Sequence, residues 1–118
     1  MLVLFGIKQC DTVKKALNWL AQHEVEHTFH DIRSDGLDEQ MVRRWIDAIG
    51  WQVMVNKRST TWRNLSDEIK NSLSGDNVAA LLLENPTLIK RPVIEYRGRV
   101  TIGFKVADFE ATFTPTKS

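Results

Sequence analysis

The 118-residue sequence predicts an α/β (α+β) fold, a mixed four-stranded sheet carrying an inserted all-helical block. Three observations predict it. The chain opens on an apolar run, Leu2-Val3-Leu4-Phe5, which passes through a short break into a stretch of helical period. Residues 34–85 repeat the helical period and contain no strand pattern. From Val93 to Ile102 the period returns to that of strands.

Taken in order, the first strand is bounded by Gly6-Ile7-Lys8-Gln9, and Cys10 follows. Val13, Ala16, Leu17 and Leu20 fall at i, i+3, i+4 and i+7, one face of an amphipathic helix, for which Asp11 and Thr12 are suitable caps. His27 to Ile32 alternates as a half-exposed second strand. Arg33-Ser34-Asp35-Gly36 is turn chemistry, where the chain leaves the first layer. Asp38 caps a helix with the apolar stripe Met41, Val42, Trp45, Ile46 and Ile49, and Gly50 stops it. Trp51 to Asn56 reads as an apolar connector, and the hydroxyl-rich stretch from Lys57 to Arg63 as a loop or a helix start. Ser66 and Asp76 cap two further helices, the second ended by Pro86. Val93–Tyr96 and Val100–Ile102 form a hairpin around Arg97-Gly98-Arg99, and Val106, Phe109 and Phe113 mark a closing helix. These readings give a single domain over 1–118, with a sheet core from 1–33 and 86–114, a helical insertion at 34–85 and a flexible tail at 115–118.

Composition narrows the function. With 42% hydrophobic and 26% charged residues the chain reads as an ordinary soluble protein, and no apolar run has the length of a membrane span. A single cysteine makes no internal disulfide, which points to the cytoplasm. A net charge of +1 does not support general nucleic-acid binding. The basic residues are nevertheless gathered at a few turns: Lys8, Lys14 and Lys15, then Lys57, Arg58 and Arg63, then Lys90 and Arg91. A basic pocket on a nearly neutral protein points to a small anionic ligand. Nothing in the sequence is self-complementary, so a monomer is expected. His23, His27 and His30 come with no ligand set of metal spacing, and on an alternating strand His27 and His30 face opposite ways, so no metal site is expected.

The chemistry rests on Cys10. It lies between a buried strand and the first turn of a helix, where unpaired N–H groups and the helix dipole favour an anion, with Lys8, Lys14 and Lys15 nearby. That setting lowers a thiol pKa and makes a nucleophile. The competing reading is a small buried hydrophobe.

Resemblance separates the two. The pieces Gly6-Ile7-Lys8-Gln9-Cys10-Asp11-Thr12 with Lys14-Lys15-Ala16, then Phe29-His30-Asp31 and Asp35-Gly36-Leu37-Asp38, stand in order with Gly50-Trp51, Arg58-Ser59-Thr60-Thr61-Trp62-Arg63, Ile89-Lys90-Arg91-Pro92 and Gly103-Phe104. In these pieces the chain resembles the arsenate reductase family ArsC, which also contains the Spx regulators, and within it the YffB-type branch. The resemblance implies a thioredoxin-like fold and a catalytic Cys10, with Arg58 and Arg91 matching two arginines that hold the oxyanion and the thiolate. It also implies a cis peptide at Arg91-Pro92. Lacking a resolving cysteine, the chain needs an outside thiol, and the YffB resemblance points to glutathione as co-substrate, with no cofactor bound. Lys8, Gln9, Asp11, Thr12, Arg58, Arg91 and Pro92 are the residues expected to bind it, while Thr60, Thr61 and Trp62 either line the pocket or, for Trp62, anchor the helical block.

Two departures qualify the resemblance. Where the arsenate reductases carry a third arginine this chain has Ile102-Gly103-Phe104, which points away from arsenate as substrate. Where Spx regulators often carry a second cysteine, this chain has Val13. A regulator docking on the RNA polymerase α-subunit is the competing expectation to a glutathione-dependent thiol reductase.

Overall fold

The computed structural model describes residues 2–113, and the tail expected at 115–118 lies outside the described residues. The chain divides into two compact units, Met1–Asp31 with Arg91–Ser118, and Ile32–Lys90.

The first unit holds the sheet. β1 (Leu2–Gly6) leads to α1 (Asp11–Gln22) and β2 (His27–Asp31), and the chain returns with β3 (Val93–Tyr96), β4 (Arg99–Ile102) and α7 (Val106–Phe113). The strand order is β2-β1-β3-β4, with β1 and β2 parallel and the other pairs antiparallel, so the sheet is mixed as expected. This is the α/β, thioredoxin-like arrangement. Leu2 and Leu4 of β1, Val13, Ala16, Trp19 and Leu20 of α1, Ile94 of β3, and Phe109 and Phe113 of α7 form one core cluster. Each fully buried side chain of this kind stabilises the fold by about 1.5–3 kcal/mol. Trp19 presents its edge relationship to Phe109 at 5.3 Å between centroids, which locks α1 and α7 together.

Two turns in this unit have backbone requirements. α1 ends with Glu24 in the left-handed region (φ 56°), where its N–H reaches the Ala21 carbonyl at 3.2 Å and the Val25 N–H reaches the Leu20 carbonyl at 2.9 Å. That is the Schellman arrangement, built here on a residue other than glycine. The hairpin turns on two residues, Arg97 (φ 51°) and Gly98 (φ 77°), while Arg99 already pairs with Tyr96. The turn is therefore one residue shorter than Arg97-Gly98-Arg99, because two left-handed residues in succession match the twist of the strands.

The second unit is helical: α2 (Glu39–Ile49), α3 (Trp51–Met54), α4 (Thr60–Arg63), α5 (Asp67–Ser72) and α6 (Val78–Glu84), followed by a 3-10 turn at Pro86–Leu88. Asp38 caps α2 through the Met41 N–H at 2.8 Å, and Gly50 ends it at φ 86°. Ser59 and Ser66 cap α4 and α5. α2 packs against α3 and α6, burying Val42, Trp45 and Leu82. Three details differ from the sequence reading. The apolar connector forms a helical turn, α3. Asn77 takes the cap position of α6 in place of Asp76, since its side chain ties the Ser74 N–H and the Ser72 carbonyl. Residues 86–90, placed with the sheet core from sequence, group with the helices. There Val55 pairs with Ile89, the Asn56 N–H donates to the Leu88 carbonyl at 2.6 Å, and the Lys90 N–H donates to the Met54 carbonyl at 2.7 Å. A pairing between positions so far apart leaves no local pattern in the sequence.

Candidate functional site

The register of the sheet decides where the site forms. Gly6 ends β1 opposite Asp31, which ends β2, and Phe5 lies opposite Val93, the first residue of β3. The last residues of two parallel strands and the first of their antiparallel neighbour therefore meet at one end of the sheet. In open α/β sheets this carboxyl end of the parallel strands is where ligands bind.

From Gly6 the chain turns at once. The Cys10 N–H donates to the Ile7 carbonyl at 3.0 Å, and the Cys10 carbonyl accepts the Lys14 N–H at 3.0 Å. Cys10 itself, with extended backbone (φ −78°, ψ 122°), is the N-cap of α1. Asp11 and Thr12 occupy the first two helical positions, exposed, and are not the caps expected from sequence. The tight turn from Ile7 brings the chain into helical geometry one residue earlier. The sulfur thus occupies the place of the serine or aspartate oxygen at an ordinary cap. Its side chain forms no standard cap hydrogen bond, but the N–H groups at the start of α1 still face it.

The thiol is partly buried, and burial pushes its pKa up. The Val13 N–H, the Arg91 guanidinium (as donor and as charge) and the Thr12 N–H favour the thiolate more strongly, so Cys10 is held below its ordinary value. Arg91 lies two residues before β3, and the Arg91-Pro92 peptide bond is cis. Pro92 is buried, and its carbonyl accepts the Gly103 N–H at 2.8 Å, which fixes the start of β3 against the end of β4.

Gly6 has a packing role. A Cβ at this position would stand 2.6 Å from Cγ2 of Val13, a fully buried side chain. The absence of a side chain at Gly6 lets α1 approach the strand that leads to the cysteine.

Asp31 is the residue that sequence reasoning missed. It is buried, 5% exposed, and its Oδ2 accepts the Lys8 N–H at 3.3 Å. The carboxylate ending β2 therefore tethers the turn that carries Cys10. The available signal was an acid closing an otherwise alternating strand; its pairing opposite Gly6 was not legible locally.

The structure brings Cys10, Arg91, Pro92 and the Lys8 backbone to this end of the sheet, with Lys8 and Gln9 exposed on the turn. Arg58 belongs to the helical unit, ahead of α4, where its N–H donates to Asn56 Oδ1 at 3.1 Å and its carbonyl accepts from Arg63 at 2.9 Å. Thr61 bonds to Thr87 at 2.7 Å, and the ring of Trp62 lies beneath the ammonium groups of Lys57 and Lys70. The histidines are taken up locally. His23 stacks on Trp19, His27 bonds to the Val25 carbonyl, and His30 lies against Phe5. Among the described residues no group of three His, Cys, Asp or Glu converges as for a metal.

The segment where the resemblance implies a third arginine lies within this unit. Ile102-Gly103-Phe104 closes β4, and Phe104 packs edge-on against Phe109 at 4.7 Å. Arg97 and Arg99 flank the far end of the hairpin, three strand residues or about 10 Å from the end where β3 begins. Arg97 lies on the ring of Tyr96 at 5.2 Å.

Comparison with known proteins places this geometry. Residues 5–112 match the ArsC family. A solved YffB protein is 42% identical, covering 96% of this chain and 99% of its own, with a TM-score of 0.90. An arsenate reductase (ArsC) related protein from Brucella melitensis is 37% identical over 94% of this chain and 92% of its own, with a TM-score of 0.78. The global transcriptional regulator Spx of Streptococcus agalactiae is 29% identical, covering 94% of this chain and 82% of its own.

Proposed function

The chain belongs to the ArsC family, and on that premise we propose that it is a thiol-dependent oxidoreductase whose nucleophile is Cys10 and whose co-substrate is glutathione. The observation that carries this reading is the setting of Cys10 as the cap of α1 beside the Arg91 guanidinium, which favours the thiolate.

The Cys10 thiolate attacks one sulfur of a mixed disulfide between glutathione and a substrate thiol. A protein–glutathione disulfide forms, and the substrate leaves as its thiolate, which takes a proton from solvent. A second glutathione thiolate then attacks the glutathione sulfur of that disulfide. Oxidised glutathione departs and the Cys10 thiolate returns, so one free glutathione thiol is consumed and one oxidised glutathione is released for each mixed disulfide cleaved. The chain contains no second cysteine, so the resolving thiol comes from outside. In this reading Arg91 holds the thiolate, and Arg58 is its partner arginine by place in the motif. Lys8, Gln9, Asp11, Thr12 and Pro92 contact the glutathione moiety. Arsenate is disfavoured as substrate, because Ile102-Gly103-Phe104 is committed to the strand end and to packing. The cytoplasm is the compartment proposed.

The test is alkylation of Cys10 by iodoacetamide against pH, followed by mass analysis after mixing with oxidised glutathione. Reactivity that persists below the pH of an ordinary thiol, together with a single glutathione adduct absent from Cys10→Ser, supports the reading. An ordinary titration with no adduct overturns it.

A regulatory reading is favoured by one observation, the Spx relative aligned over 94% of this chain. In that reading the protein docks on the RNA polymerase α-subunit without turnover. It would lack a disulfide switch in cis, because Val13 stands at the partner position and is fully buried in the core. Co-purification with isolated α-subunit, unaffected by Cys10→Ser, would favour it over the reductase.

A further inference from the structure

The helical unit contains a cavity of about 450 Å³ lined by Gln52, Val55, Asn56, Lys57, Arg58 and Lys90. Its volume falls within the range of about 300–1,000 Å³ typical of small-ligand pockets. Three of the six lining side chains are cationic and none is acidic. Among the described residues none of the three cations has a carboxylate partner.

The wall that presents these charges is fixed. The Val55–Ile89 pairing and the Lys90 N–H to Met54 carbonyl bond hold two extended segments side by side, so Lys57, Arg58 and Lys90 share one cavity. Asn56 commits its backbone and side chain to the same end: its N–H to Leu88, its carbonyl to the Ser59 N–H and hydroxyl, and its Oδ1 to the Arg58 N–H. The Arg63 guanidinium closes onto the Arg58 carbonyl, and Lys57 rests over the Trp62 ring at 5.7 Å. Three like charges held together by a rigid backbone repel one another, and an anion placed between them relieves that repulsion.

We propose that this cavity is a binding subsite for the carboxylate end of a small peptide-like ligand, with Lys57 and Lys90 as recognition residues beside Arg58. Carboxylates take charge-assisted hydrogen bonds from the three cations, and the Gln52 amide is placed to pair with a peptide group. The identity of that ligand as the glutathione co-substrate rests on the function proposed above; the subsite itself does not require thiol chemistry.

The test uses full-length Cys10→Ser protein, in which no covalent adduct forms. Amide resonances are followed during titration with reduced glutathione and, separately, with inorganic phosphate. Saturable shifts at Asn56, Lys57, Arg58 and Lys90 with glutathione, and weaker binding of phosphate, are expected. The double substitution Lys57→Gln with Lys90→Gln, both at exposed side chains, is expected to weaken glutathione binding about tenfold or more while leaving the thermal midpoint in place. Absence of saturable shifts at these amides, or equal affinity in the double variant, overturns the subsite. Phosphate binding as tightly as glutathione overturns its assignment to a peptide carboxylate. Adduct formation by the unsubstituted protein is read separately, so loss of the Cys10 chemistry and loss of this subsite give different results.

Discussion

The guanidinium of Arg91, two residues before β3, stands by the thiol of Cys10, the residue that caps α1, and favours its thiolate. A sheet strand and a helix start thus supply the two halves of one charged pair. Arg91→Ala is expected to raise the Cys10 pKa, shifting its alkylation profile to higher pH; an overlay with the parent profile would sink the pairing. The same pair ties stability to pH. A thiol whose folded pKa is depressed contributes stability above its unfolded pKa, and that contribution is lost as pH falls through the folded pKa. Urea midpoints measured on either side of that window should therefore show a rise with pH that is absent in Cys10→Ser.

Arg97 and Arg99 provide the matching control. Both flank the far end of the hairpin, so replacing the two with alanine should leave the Cys10 alkylation profile where it was. A shift comparable to that of Arg91→Ala would mean that one of them serves as the third arginine.

Gly6→Ala is expected to destabilise the protein by about 1–3 kcal/mol, because the new methyl meets the buried Val13 side chain at 2.6 Å. Chemical denaturation reads the loss. Pairing it with Val13→Ala, which removes the opposing methyls, should give a combined loss smaller than the sum of the two single losses.

Asp31→Ala removes a buried acceptor from the turn ahead of Cys10. A loss of about 0.5–1.5 kcal/mol is expected from the lost hydrogen bond to the Lys8 N–H. The thiol pKa should rise in the same variant as the cap loosens, and an unchanged alkylation profile would confine Asp31 to stability alone.

Glu24→Gly should stabilise the protein by about 1 kcal/mol, since glycine adopts the left-handed conformation at the end of α1 without the side-chain penalty. A thermal midpoint that fails to rise would show that the Glu24 side chain offsets the backbone strain.

Much of this was legible from the chain because the governing interactions are local. Asp38 with Gly50 bounds α2, and Ser66 caps α5, through contacts spanning three or four residues. Cys10 could be placed at a strand-to-helix turn from periodicity alone, yet its role as the cap itself depends on the Ile7 carbonyl closing the turn early. Asp31 and residues 86–90 stayed hidden for one reason. The first acts on Lys8 and the second on Met54–Asn56, across separations that no window of sequence period spans. Trp51–Met54 is a different case, a run too short and too uniformly apolar to separate a helical turn from a connector.

The helical block leaves the sheet after Asp31 and rejoins it at Arg91, on the two strands that flank β1. Its ends are therefore anchored only two strand spacings apart, about 10 Å. Closing a long excursion between such neighbouring anchors costs little additional chain entropy as its length grows. Evolution can thus lengthen, trim or replace the excursion while the strands keep their register. The two residues at the seams, Asp31 and Arg91, are also the ones that tether and charge the surroundings of the cysteine. An architecture of this kind lets the excursion change in length or sequence without moving the strand ends on which Asp31 and Arg91 stand.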